Sequence, residues 1–248
     1  FAAISFAIVL TVRKKWLELK NTVALKDILI TTLLLGIFYY LLTFFALRST
    51  SAGNVSIIAL TEILSSYLFF QVWRKDYMSA WHKIGAVFMV IGAFIVLYPS
   101  MGNFTGGEFL ILIAAIIAPI GNLFAQRARK RVSSESILFI RSFITAIFGF
   151  ILVFLSKSVF SYTDIKSSLV LILINGLLLL GLSKIFWIEG IHRISVTKAN
   201  ALSSISPLFT LLFAWILLQN PPSVGQVLAF IPMFLGVMLL GKVNKNKS

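Results

Sequence analysis

Glu62 stands near the middle of an apolar run from Ser51 to Phe70, SAGNVSIIALTEILSSYLFF. An ionised carboxylate at the centre of a bilayer costs about 2.5–3.5 kcal/mol, so facing lipid is selected against, while facing an aqueous cavity removes most of the cost. Two kinds of chemistry suit such a group: exchange of a proton, or binding of a polar solute. On a helix, Asn54, Ile58, Ser65 and Ser66 share the side of Glu62. The alternative is a protonated Glu62 bonded to a neighbouring helix as polar glue.

A second run, Ser195 to Phe213 (SVTKANALSSISPLFTLLF), echoes the first. Its Asn200, Ser203, Ser206 and Thr210 are spaced 3, 3 and 4, which makes one polar stripe on a helix. Pro207 cannot donate to the carbonyl of Ser203, and a freed carbonyl is tolerable only against protein or water. The stripe therefore reads either as cavity lining or as a packing seam of small residues. Lys184 either snorkels or, beside Trp187, attracts a carboxylate. Arg141 lies about 7 Å inside its helix, and snorkelling is expected for it. Tyr39, Tyr40 and Thr43 form an aromatic and polar wall, and water contact is expected to satisfy Asn122 and Gln126. Glu62, Ser66, Tyr40, Lys184, Trp187, Asn200, Ser203 and Ser206 are thus the candidate substrate-binding residues.

The elements that must position these residues are membrane helices. Of 248 residues, 59% are hydrophobic and 12% charged, about half the charged fraction of a soluble domain. No cysteine is present, and no HExxH, GxSxG or phosphate-loop spacing occurs. No metal, cofactor or enzymatic chemistry is therefore expected. Runs of spanning length lie at about 28–47, 52–73, 82–99, 107–126, 136–156, 167–190, 196–218 and 223–241, with a shorter run at 1–12. These predict eight complete helices and one partial helix. Gly85, Gly92 and Gly236 are expected to let helices pack closely.

The net charge of +14 does not point to nucleic acid, because the positives cluster between apolar runs. If Arg13 marks the inside, alternating segments hold 17 lysines and arginines inside and 3 outside, Arg48, Lys157 and Lys166. The remaining two, Arg141 and Lys184, lie within helices. This split predicts a cytoplasmic C-terminus.

At an offset of 144, Ser51 meets Ser195, Leu68 meets Leu212, Phe69 meets Phe213, Gly92 meets Gly236, and Glu62 meets Ser206. Five helices separate the copies, so the halves have opposite orientation, as in secondary transporters. The expected domains are a first repeat at 1–99, an outside linker at 100–105, and a second repeat with a basic tail at 106–248. Phe1 aligns with Thr145, which leaves a shortfall of about 38 positions and predicts ten helices, five plus five, in the intact protein.

Ala46-Leu47-Arg48-Ser49-Thr50-Ser51-Ala52-Gly53-Asn54 followed by the Glu62 helix resembles EamA-type permeases of the drug/metabolite transporter superfamily. The second copy resembles them more closely, in Trp187-Ile188-Glu189-Gly190, Ile194-Ser195-Val196-Thr197-Lys198-Ala199, Leu202 to Thr210, and Ala214-Trp215. Glu62-Ile63 departs from the family's Glu-Pro, and Lys75-Asp76 and Gln219-Asn220 depart from its Gly-Glu. The resemblance implies an all-α polytopic membrane protein of two inverted repeats, with a central cavity, exporting small metabolites such as amino acids. It implies a small-molecule substrate, the lipid bilayer and protons as partners, and a bacterial or archaeal cell membrane; a homodimer is compatible with it. A non-transporting membrane scaffold is the alternative function.

Overall fold

The computed structural model describes residues 1–72, 80–97, 106–155, 162–194 and 196–240. The expected break at Tyr98-Pro99-Ser100, the linker 100–105, Lys75-Asp76 and the basic residues Arg74, Lys157, Lys242, Lys245 and Lys247 lie outside the described residues, as does the side chain of Lys198.

Among the described residues the secondary structure is helical, in nine longer stretches and a short 3₁₀ helix, Trp16–Lys20, between the first two. The longer stretches are α1 (Ala2–Val12), α2 (Thr22–Ala46), α3 (Ala52–Val72), α4 (Ala80–Leu97), α5 (Gly107–Arg129), α6 (Ser134–Leu155), α7 (Tyr162–Arg193), α8 (196–218) and α9 (Val224–Leu240). The apolar runs set these bounds, because a chain crossing lipid must satisfy its backbone within each segment. Local signals set the ends. Asn21 caps α2 by accepting from the N–H of Ala24, and Ser51 caps α3 by accepting from the N–H of Asn54. Gln219 ends α8 in a left-handed conformation, φ 53°, and the following N–H, that of Asn220, reaches the carbonyl of Ala214. Phe150, Phe154 and Leu155 on α6 are strongly exposed, as suits a lipid-facing surface.

The chain forms two compact units. The first holds Phe1–Ile37 and Gly121–Ile194, the second Phe38–Ile120 and Ser195–Ser248, so each draws on both sequence halves. In the first unit, Ala2 and Phe6 of α1, Ala24 and Ile28 of α2, and Ile137 and Leu138 of α6 share a core with Ile188 of α7. The second unit is built around α4 packed on α9. An added Cβ at Gly85 would lie 2.9 Å from the carbonyl oxygen of Gly236, and one at Gly236 would lie 2.7 Å from that of Gly85. A Cβ at Gly92 would meet Met233 and the carbonyl of Ala229. These glycines do what the sequence suggested and bring two backbones together. Since Gly85 faces Gly236 while Gly92 faces Ala229 and Met233, α4 and α9 run antiparallel.

The offset of 144 reappears in the elements. Wide π-helical turns occupy Thr32–Phe38 in α2 and Asn175–Leu182 in α7, again about 144 apart. Within the second unit, Ala52–Ala59 of α3 packs on Ser206–Leu218 of α8, and Thr61–Tyr67 on Val196–Leu202, so these two counterparts are antiparallel as well. Antiparallel counterparts are what an inverted repeat would require.

Arg141 corrects an expectation. It does not snorkel: it is buried, and its Nη2 donates to the carbonyl of Leu35 at 3.2 Å. Leu35 sits in the π turn of α2, whose altered hydrogen-bond register leaves a carbonyl open to a second donor. The neighbouring Gly36 has no room for a side chain, since a Cβ there would lie 2.6 Å from Oγ1 of Thr145.

Candidate functional site

Both antiparallel helices of the second unit are broken, at matching places. In α3 the N–H of Leu60 donates to the carbonyl of Ile57 and the N–H of Ile63 to that of Leu60, two tight three-residue turns that interrupt the α register just before and around Glu62. The break needs no proline; the Thr61 hydroxyl helps by donating to the carbonyl of Ile58 at 2.7 Å. In α8 a 3₁₀ turn covers Ser203–Ile205, centred on Ser204, the counterpart of Leu60. Pro207 removes one donor there, as its ring requires, but the Ser203 carbonyl is not left open: the N–H of Ser206 takes it.

Glu62 is half-buried beside this break. Asn200, buried on α8, donates from Nδ2 to Oε1 of Glu62 at 3.0 Å and to Oγ of Ser66 at 3.4 Å, and Ser66 is fully buried. An amide donor on a carboxylate is a charge-assisted bond and fixes the orientation of the acid. Glu62 also lines a small cleft of about 10 Å³, together with Tyr39, Thr43, Val55, Ala59, Ile111, Ala114 and Ala115. The three alanines leave the space, and the acid, the tyrosine and the threonine supply its polar groups.

The other candidates divide. Tyr40 lies in this unit, edge-on to Tyr39 at 5.9 Å and stacked on Phe44 at 6.0 Å, but it is not among the cleft-lining residues. Ser203 and Ser206 are exposed. The Ser203 hydroxyl donates to the carbonyl of Asn200, and the Ser206 carbonyl accepts from Thr210. Lys184 and Trp187 belong to the first unit. There the Trp187 indole donates to Oδ1 of Asn122 at 2.9 Å. Gln126 donates to the carbonyls of Ile191 and Ile194. Asn122 and Gln126 therefore have protein partners where water was expected. Among the described residues no group of acids and histidines is arranged to hold a metal ion.

Sequence reasoning missed Glu108. It is buried at the start of α5 and accepts from Thr50 Oγ1 at 2.5 Å. Thr50 in turn accepts from Asn54, and Asn54 and Ser51 accept from Gln226 of α9 at 2.9 and 3.0 Å. A polar chain thus ties α3, α5 and α9 together. A carboxylate in a helix's first turn is ordinary, so only its burial marks this one.

At one end of the first unit the acids are all engaged. Glu135 pairs with Arg13 and, at 3.7 Å, with Lys15. Glu189 accepts from Arg129 at 2.7 Å and Ser134 at 2.5 Å, and Asp27 pairs with Arg131 at 3.1 Å. Glu18 accepts from the N–H and hydroxyl of Ser133 and from the hydroxyl of Ser136. Burial alone would raise the Glu18 pKa, but these hydrogen bonds and the nearby charge of Lys15 outweigh it and hold the carboxyl below its ordinary value.

This arrangement has relatives. The profile of the EamA-like transporter family matches residues 1–98 and 105–242. "Uncharacterized transporter YoaV" of Bacillus subtilis (strain 168) is 21% identical over 245 residues, spanning 96% of this chain and 82% of that protein. An "Uncharacterized transporter" of Methanothermobacter thermautotrophicus is 26% identical over 223 residues, spanning 86% of this chain and 63% of that protein. A solved crystal structure superposes with a TM-score of 0.71 at 17% identity, covering 96% of this chain and 83% of the other.

Proposed function

Because this chain belongs to the EamA-like transporter family, we propose that it is a permease for small polar metabolites, amino acids or similar solutes, that works by alternating access between its inverted repeats and exports its substrate across a bacterial or archaeal cell membrane. Glu62 is the binding or proton-exchange group of this reading. One observation carries it: Glu62 lines a cleft beside the helix break while Asn200 holds one of its oxygens. Broken helices suit a solute site, because interrupted backbone at membrane depth is stable only against protein or a watery cavity, and there it offers dipoles to a polar ligand. The counterpart of Glu62 in the second repeat is Ser206, so the symmetric position has a hydroxyl where this one has an acid. That asymmetry gives the protein one titratable group at the break, suited to couple a proton or a charged solute to the movement of one half against the other.

The test is export of amino acids and related metabolites from cells expressing the gene, measured against pH, for wild type and Glu62→Gln at matched membrane levels. Glu62→Gln keeps size and hydrogen bonding but removes titration. Transport should fall and lose its pH dependence. Equal rates with one pH profile would make Glu62 structural glue, and absence of transport of any solute in the wild type would favour the scaffold reading.

A further inference from the structure

We propose that the connector between α1 and α2, residues 13–21, is a docking surface for anionic phospholipid headgroups. The connector is a five-residue 3₁₀ helix, Trp16–Lys20, preceded by Arg13, Lys14 and Lys15. Its one acid, Glu18, points to protein: the N–H and hydroxyl of Ser133 and the hydroxyl of Ser136 at the start of α6 donate to it. Trp16 is fixed edge-on against Phe139 at 5.3 Å, and its indole N–H donates to Thr11. These contacts pin the connector from one side. Its other side carries Lys14 and Lys20, both exposed, with Leu17 74% exposed and Val12 76% exposed next to them.

Exposed lysines next to a bare leucine, a bare valine and a half-open tryptophan form an interfacial pattern: the apolar groups suit the edge of the acyl chains, and the ammonium groups suit the phosphates above them. The charge balance selects the headgroup. Ten cations gather at this end of the first unit (Arg13, Lys14, Lys15, Lys20, Lys26, Arg127, Arg129, Lys130, Arg131 and Arg193) against the four acids Glu18, Asp27, Glu135 and Glu189, each of them engaged with the protein's own groups. The excess of about six positive charges is compensated by an anionic lipid and not by a zwitterionic one. A soluble polyanion would match the charge but would leave Val12 and Leu17 in water.

The test uses the purified protein in nanodiscs of phosphatidylcholine alone and of an equimolar mixture with phosphatidylglycerol, with co-purifying lipid read by native mass spectrometry and thermal stability read in parallel. Wild type should retain phosphatidylglycerol preferentially and melt higher in its presence. Lys14→Gln and Lys20→Gln should each reduce that preference by roughly fivefold, and high salt should do the same. Leu17→Ser should weaken retention of both lipids. Lys166→Gln, on another helix, should change nothing; an equal loss there would mean net charge alone is responsible and would overturn the proposal. Equal retention of the two lipids, or an unchanged preference in the lysine variants at wild-type helicity, would also overturn it, as would protection by heparin equal to that by phosphatidylglycerol.

Discussion

Asn200 and Glu62, 138 residues apart in sequence, meet through a 3.0 Å bond from the amide Nδ2 to Oε1 across two antiparallel broken helices. The bond holds the acid's orientation at the cleft. Asn200→Leu should therefore lower transport while leaving membrane insertion intact, because it removes a polar group from the segment. The stability cost should be about 1 kcal/mol, the scale of interhelical hydrogen bonds in membranes. Solute transport and melting temperature of the variant in detergent would check both, and Asn200→Gln, which keeps the amide, should recover part of the loss.

The close approach of α4 and α9 makes Gly236 intolerant. An added Cβ would lie 2.7 Å from a backbone carbonyl and 2.9 Å from Met89 Cγ, so Gly236→Ala must push two helices apart. Overpacking of this kind costs about 1–3 kcal/mol. Gly149→Ala, where a Cβ meets nothing within 4 Å, should be neutral or stabilising. Thermal unfolding of the two variants side by side gives the comparison.

Glu18 gives the junction of α1, α2 and α6 a pH dependence. Its folded carboxyl titrates below the unfolded one. The stabilisation is thus fully present above the unfolded value of about 4.3 and is lost as pH falls through the lower, folded value. Melting temperature should be flat on this account from neutrality down to about pH 5 and fall in stronger acid. Glu18→Gln should melt about 2–4 °C lower near neutrality, with a shallower acid limb. An identical acid limb in the variant would assign it to other carboxylates.

Single cysteines report topology cleanly in a chain that has none. The segments carrying Lys14 and Lys130 meet at one end of the first unit, where Arg13 pairs with Glu135. Lys14→Cys and Lys130→Cys should react with an impermeant maleimide only from the cytoplasmic face, and Arg48→Cys only from the opposite face. Labelling of Lys14→Cys and Arg48→Cys from the same side would refute the helix alternation.

The positions of the helices were legible because the signal is thermodynamic and local. Twenty apolar residues in lipid have no alternative to a helix, so the described residues of the runs at 52–73 and 196–218 are helical. Glu62 stood out for the same reason, since its cost is a property of one residue at one depth. Arg141, Asn122 and Gln126 were misread because their partners, Leu35, Trp187 and the carbonyls of Ile191 and Ile194, are 65 to 106 positions away for the bonds to Trp187, Ile191 and Leu35. Of the stripe on α8, Asn200 is buried on Glu62 while Ser203 and Ser206 are exposed, a division that residue spacing does not state. By itself, then, the sequence determined the spans, the opposite orientation of related helices and the one costly acid, all of which follow from transfer of single segments into lipid. Which polar groups meet was decided by tertiary packing, because a hydrogen bond within about 3 Å depends on helix rotation and on breaks in register that hydropathy does not encode.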